Sequence, residues 1–152
     1  MLAAFAHLSG RFLLAVLVTT LIGTLIQTQI NLAALGEIGV AVDTSARLAT
    51  SGADLLGFTP SFGPIVAVGF LIAFLIAALF ARWWPQGKAL LYPLAGFVAI
   101  ITAMLLMAAI FKLTPVAAAR STFGLIALGM SGALGGWTFW QMQRRAEQRP
   151  AG

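Results

Sequence analysis

The stretch that decides the fold is PIVAVGFLIAFLIAALFARWWP, residues 64–85. Residues 64–81 contain no charge, and their number is close to the roughly 20 that a helix needs to cross about 30 Å of hydrocarbon. Pro64 suits the first turn of a helix, where its missing N–H is not needed. The Arg-Trp-Trp triplet at 82–84 places a charge and two indoles at headgroup depth, and Pro85 then breaks the helix. This stretch predicts a membrane-spanning helix over 64–81.

Three further stretches, 12–30, 89–111 and 121–142, meet the same criterion, because each is about as long and contains no Asp, Glu, Lys or Arg. We therefore predict an all-α membrane protein, a single integral membrane domain over 1–152 in which four transmembrane helices form a bundle. Composition agrees, since 61% of the residues are hydrophobic and 9% are charged, against about 25% charged in soluble domains. A soluble enzyme and a disordered tail are excluded.

Lysine and arginine flank the predicted spans unequally, and such residues are held on the cytoplasmic side of a membrane. One side carries twice as many as the other: Arg11, Arg82, Lys88, Arg144, Arg145 and Arg149 against Arg47, Lys112 and Arg120. Both termini are therefore expected in the cytoplasm, and the compact chain suggests a bacterial inner membrane. The first span has an alternative interpretation as a cleaved secretory signal, but its apolar run is longer than usual and no small-residue cleavage site follows it.

Several chemistries lack the residues that they require. The chain has no Cys, which excludes disulfides, thiolate nucleophiles and cysteine-ligated metal centres. His7 is the single histidine, and metal or haem sites usually need more than one such ligand. We therefore predict no cofactor, no metal and no catalytic residue. Nucleic acid is not an expected partner, because the nine basic residues are scattered between apolar segments. Ion-coupled transport is disfavoured, because the spans contain no ionisable group.

Residues 31–63 are predicted to form an extracytoplasmic loop, or a short interfacial helix, between the first two spans. Asp43 is suited to cap a helix that runs through Ser51 and stops at Gly52, and Arg47 would then face Asp43 one turn away. The segment also carries much apolar surface that it cannot bury alone. It should therefore lie on the membrane or over the bundle.

Small residues recur on one face of several spans. Gly69, Ala73 and Ala77 are spaced four residues apart in the second span, and Gly132 and Gly136 have the same spacing in the fourth. A similar row in the third span comprises Ala95, Ala99 and Ala103. Helices in lipid associate through close backbone approach and dispersion, which small residues permit. These faces are predicted to pack helices, either within one bundle or against another subunit.

A polar face lies on the outer half of the first span, and its members are Thr20, Thr24, Gln27, Thr28 and Asn31. Amide and hydroxyl groups in contact with hydrocarbon cost free energy, so this face should point inward. One interpretation is hydrogen bonding between helices, worth about 0.6 kcal/mol per contact. The other is a ligand-binding site for a lipid or quinone headgroup, or for a small polar solute, formed by Thr24, Gln27, Thr28 and Asn31.

Together these patterns predict a non-enzymatic multi-pass membrane protein. It would act as a small packing or assembly subunit, or as a homo-oligomer, through its Gly and Ala helix faces, with membrane lipids and other membrane subunits as partners. The alternative is a carrier or binding protein for a lipid, quinone or small polar solute at the polar face. A third hypothesis is an intramembrane enzyme that uses the loop carboxylates Glu37, Asp43 and Asp54, although their spacing fits capping and surface solubility equally well.

Overall fold

The computed structural model describes residues 2–37, 39, 43–111 and 116–148, and within these ranges every regular element is helical. The five α-helices are α1 (Leu2–Glu37), α2 (Thr44–Gly57), α3 (Thr59–Trp83), α4 (Lys88–Phe111) and α5 (Thr122–Glu147). Short 3₁₀ turns at Pro85–Gly87 and Ala117–Arg120 precede α4 and α5. Four of the helices, all except α2, are long and apolar enough to cross a membrane. The predicted all-α class is thus confirmed, together with four helices of spanning length and apolarity, and these suggest an integral membrane protein.

The first helix is longer than its predicted span of 12–30. It has 36 residues, which is about 54 Å at ~1.5 Å per residue, and so exceeds the hydrocarbon thickness. The prediction stopped after the roughly 20 residues that cross the hydrocarbon. The helix continues because residues 32–35, Leu-Ala-Ala-Leu, are good helix formers and no proline interrupts them. The helix ends near Gly39, whose φ of 84° lies in the left-handed region that favours glycine.

The described part of segment 31–63 is therefore mostly helix, and of the two predicted alternatives, a loop or a short helix, the short helix is present as α2. Its first residues complete α1, its middle forms α2, and its last residues begin α3. Phe58 joins α2 to α3 with helical dihedral angles (φ −84°, ψ −36°), so the two helices are almost continuous. Pro60, and not Pro64, occupies the first turn of α3, and Pro64 lies inside the helix. The true start is five residues earlier than predicted because Pro60 suits a helix start as well as Pro64 does.

Asp43 caps α2 as predicted, since its side chain accepts a hydrogen bond of 2.7 Å from the Ala46 N–H. Gly52 does not end the helix, which continues to Gly57. A glycine in a helix interior costs only about 1 kcal/mol, so a single glycine does not by itself end a helix. The predicted approach of Arg47 to Asp43 is also wrong, because the Arg47 guanidinium donates to Gln29 Oε1 at 3.3 Å.

The four long helices pack in a ring, in which α5 contacts α1 and α4, and α3 contacts the same two helices from the other side. Neighbours run antiparallel. Lys88 Nζ lies 3.4 Å from Glu147 Oε1 where α4 begins and α5 ends, and we call this the terminal end. At the opposite, distal end, Gln27 meets Ala118, and α2 packs on α1. The fully buried core between the helices includes Phe62, Phe70, Ile100 and Leu128.

Candidate functional site

The polar face of α1 forms a buried polar seam at the distal end, defined by Thr24, Gln27 and Thr28. Thr24 and Thr28 are 0% exposed and Gln27 is 7% exposed. Thr24 Oγ1 lies 3.2 Å from Thr59 Oγ1, which ties α1 to the first residue of α3. Thr28 Oγ1 lies 2.7 Å from Asp54 Oδ2 and 2.9 Å from the Thr24 carbonyl oxygen, so its proton can be donated to either acceptor. The seam thus fastens α2 and α3 to α1.

Gln27 makes the third connection of the seam. Its Oε1 accepts a hydrogen bond of 3.0 Å from the backbone N–H of Ala118, in the 3₁₀ turn before α5. Ala118 is itself fully buried, so this N–H has no access to bulk water. The side chain of Gln27 therefore supplies the hydrogen-bond acceptor that this buried N–H lacks within its own turn. Asn31, one turn further along α1, is half-buried.

The polar side chains of the seam form a network in which their hydrogen-bonding atoms have partners. In the part of the chain that the structure describes, every buried side-chain nitrogen and oxygen has a hydrogen-bond partner. Thr24, Gln27 and Thr28 thus make hydrogen bonds between elements of the bundle, as one of the two interpretations of this face predicts.

The two carboxylates of α2 lie far apart. Asp43 is at the start of the helix and Asp54 is eleven residues later, a separation of about 16 Å along the axis at ~1.5 Å per residue. The pKa of Asp43 is lowered, chiefly because the Ala46 N–H and the Ser45 hydroxyl donate hydrogen bonds to its carboxylate. Among the described residues no group of three or more metal-ligating side chains occurs. Asp43 caps α2, and Asp54 accepts a hydrogen bond from Thr28, so each carboxylate has a structural role. Their separation gives no support to a shared acid/base role.

The glycine face of α5 contacts the backbone of α4. A Cβ added at Gly132 would overlap the carbonyl oxygen of Gly96 and come within 2.6 Å of Ile100 Cγ1. One added at Gly136 would overlap the Tyr92 carbonyl oxygen in the same way. This face is therefore occupied within the chain. Sequence reasoning identified Gly132 and Gly136 but missed their partner Gly96, which is the single glycine of α4.

The small-residue face of α3 is different, because much of it borders open space. A Cβ at Gly69 would make only ordinary contacts, 3.7 Å from Ala99 Cβ and 3.8 Å from the Ala99 carbonyl oxygen. Gly69, Ala73 and Ala99 line an outward-facing groove of about 600 Å³ between α3 and α4, which we call the assembly groove. A neighbouring groove of about 350 Å³ shares Ala73 with it and includes Ala77.

Basic and aromatic residues gather at the terminal end. Trp83, Trp84 and Trp137 are exposed there, and the Arg144 guanidinium lies 5.6 Å from the ring centre of Trp140. Tryptophans at this position are typical of a membrane–water interface. This arrangement of residues is the one expected at an end of the bundle that lies near a membrane surface.

Comparison of the chain with protein-family models, with curated proteins and with solved structures found no match.

Proposed function

We propose that the protein is a non-enzymatic integral membrane subunit that assembles with another transmembrane helix, from a second copy or from a partner protein, through the assembly groove. The observation that carries the proposal is the floor of this groove. Gly69, Ala73 and Ala99 present little side-chain volume to the outside, at a place that no other helix of the described residues covers. The comparable face of α5 is filled by α4 and offers no such surface.

The physics of association in lipid supports this use of the groove. Lipid tails are as apolar as leucine, so helices gain nothing from hydrophobic burial and associate where their backbones approach closely. The groove has a low floor between two apolar ridges, one of which includes Ile72, 57% exposed. A helix seated on that floor would make dispersion contacts with both ridges.

The absence of cysteine makes single-cysteine crosslinking a direct test. Ile72→Cys places a thiol on the ridge of the groove, and Met130→Cys places one on the outer surface of α5, where Met130 is 52% exposed. Oxidation in native membranes should give a crosslinked product with Ile72→Cys and little or none with Met130→Cys. Equal crosslinking at both positions, or none at either with a monomeric mass in mild detergent, would contradict the proposal.

A groove-filling variant provides the second measurement. Ala73→Leu raises the floor of the assembly groove and should lower the assembled fraction measured by light scattering in mild detergent, while thermal unfolding confirms that the chain still folds. Gly132→Leu does not serve this purpose, because it would disrupt the contact of α5 with α4 before any partner is involved.

The proposal includes an orientation, with both termini in the cytoplasm of a bacterial inner membrane. The exposed Arg82 and Arg145 at the terminal end support it, because basic flanks are held on the cytoplasmic side. A membrane-impermeant maleimide applied to intact cells should label Ala49→Cys on α2. It should label Gln148→Cys only after permeabilisation, and the reverse pattern would overturn the orientation.

A further inference from the structure

A second groove opens on another side of the bundle, between α1 and α3. These helices meet closely at the distal end, where Thr24 contacts Thr59 and Gly23 faces the Phe62 ring. Toward the terminal end a groove of about 560 Å³ separates them. The opening lies between two helices that span the membrane, so an occupant would enter sideways from the bilayer.

The chemistry of this groove changes with depth. Its deep part has apolar walls, including Leu71 and Leu75 of α3, and the ring of Phe74 at its floor. Nearer the terminal end it is bordered by neutral hydrogen-bonding side chains, those of Ser9, Tyr92 and Gln143. The Tyr92 side chain is 4% exposed and its hydroxyl interacts with Gln143.

A positive charge lies beyond this neutral region. Leu71, Leu75 and Ala78 line the groove, and Arg82 follows Ala78 by four residues on the same face of α3. Arg82 is exposed, and two tryptophans follow it directly. No Asp or Glu is among the described residues that line the groove. Glu147 follows Gln143 by four residues on α5 and acts electrostatically on Tyr92. Its carboxylate lies 3.4 Å from Lys88 Nζ, which offsets its charge. From the membrane interior outward, the order is therefore apolar, neutral polar, then charged, with Arg82 as the excess positive charge.

We propose that this groove binds one phospholipid with an anionic headgroup, from the leaflet at the terminal end. An acyl chain lies along Leu71 and Leu75, the ester carbonyls lie near Gln143 and Ser9, and the phosphate pairs with Arg82. The depth order of the groove matches the order of chain, ester and phosphate in such a lipid.

The groove is less suited to a protein helix than the assembly groove. Its floor carries the rings of Phe74, Tyr92 and Phe139 rather than small residues, so a second backbone cannot approach closely. A flexible acyl chain can follow such an uneven surface. The inference is independent of the proposed function, because no residue of the assembly groove takes part.

The test uses the purified full chain in detergent with two added lipids of identical acyl chains, phosphatidylglycerol and phosphatidylcholine. Native mass spectrometry measures how many molecules of each stay bound. We expect one bound phosphatidylglycerol per chain and weaker retention of phosphatidylcholine. Arg82→Gln should weaken phosphatidylglycerol binding about fivefold, because one basic residue near an anionic surface contributes about 1 kcal/mol. Arg145→Gln, which removes an exposed charge outside the groove, is the matched control.

A filling variant tests the path of the acyl chain. Ala78→Trp places an indole in the groove and should reduce the binding of both lipids at least tenfold, whereas Leu134→Trp, on the outer face of α5, should not. If Ala78→Trp does not fold, Arg82→Gln still decides the outcome, because the exposed Arg82 is not part of the core. Equal retention of the two lipids, equal effects of Arg82→Gln and Arg145→Gln, or unchanged binding by a folded Ala78→Trp would overturn the proposal.

Discussion

Replacing Gly132 by alanine should separate α5 from α4. The new Cβ would overlap the Gly96 carbonyl oxygen and lie 2.6 Å from Ile100 Cγ1 and 2.9 Å from the Gly96 carbonyl carbon. Two of these three atoms belong to the backbone, so a side-chain rotation cannot relieve the overlap. Overpacking of this kind typically costs about 1–3 kcal/mol, and a backbone contact should fall in the upper half of that range.

The usual gain from replacing glycine in a helix does not offset this cost. In water, alanine stabilises a helix relative to glycine by about 1 kcal/mol. In lipid, the separated helices of the unfolded state remain helical, because their backbone groups must stay hydrogen-bonded. Alanine therefore stabilises the unfolded state as much as the folded state. We therefore expect Gly132→Ala to lower the free energy of unfolding by about 2–3 kcal/mol.

Gly69→Ala is the matched control for this prediction. Its Cβ would make ordinary contacts of 3.7 and 3.8 Å with Ala99, so the change should stay within about 0.5 kcal/mol of wild type, the range of a substitution away from such features. Reversible unfolding in mixed detergent micelles, followed by tryptophan fluorescence, measures both variants. A Gly132→Ala protein as stable as Gly69→Ala would refute the assignment of this glycine to the α4–α5 contact.

Three further predictions concern the distal end. Gln27→Leu leaves the buried N–H of Ala118 without its acceptor and should cost about 1–3 kcal/mol, with faster amide hydrogen exchange at Ala118; unchanged exchange would show that the bond is not needed. Thr28→Val removes the hydroxyl beside Asp54 and should cost about 0.6–1.7 kcal/mol in the same unfolding assay, whereas Thr28→Ser should restore most of it. Because the pKa of Asp43 is lowered in the folded protein, its contribution to α2 is complete above the unfolded value of 3.8 and is lost as the pH falls through the lower folded value. Asp43→Asn, which caps without titrating, should remove this dependence in an NMR titration of the Ala46 amide, and an identical titration in both proteins would contradict the mechanism.

The sequence was sufficient for the spans because a membrane imposes one strong requirement, an uninterrupted apolar helix of a certain length. It was insufficient for the distal segment because hydropathy and helix formation are different properties. Residues 31–35 are less apolar than the span before them but still form helix, and α2 tolerates Gly52. Only the residues inside the hydrocarbon have to be apolar. The helix itself continues beyond the membrane surface until the backbone geometry changes, as at Gly39.

The candidate site was predictable in character but not in its contacts. Hydroxyl and amide groups on one face of α1 had to point inward, and Thr24, Gln27 and Thr28 are buried. Their partners Asp54 and Ala118 come from segments 26 and 91 residues away, so no local spacing reveals them.

The face of α4 that meets α5 was also hidden in the sequence. Ala95, Ala99 and Ala103 form the more regular row, yet Ala99 and Ala103 border the assembly groove beside α3. The contact with α5 uses Gly96 and Ile100 instead. Because α4 is apolar all round, its hydrophobic pattern does not distinguish a lipid-facing side from a protein-facing side.

Because helices such as α4 are apolar on every face, only a few residues should determine how the helices are arranged. In water, burial of leucine and phenylalanine would select the inner faces, but in a bilayer the same side chains are equally well solvated outside. Which helices pack together is then determined by contacts that lipid cannot replace. These are the backbone contacts at glycine and hydrogen bonds such as that between Gln27 and Ala118. Exchanging exposed leucines such as Leu13 or Leu75 for other apolar residues should accordingly have little effect on the fold, whereas adding one methyl group at Gly132 should have a large one.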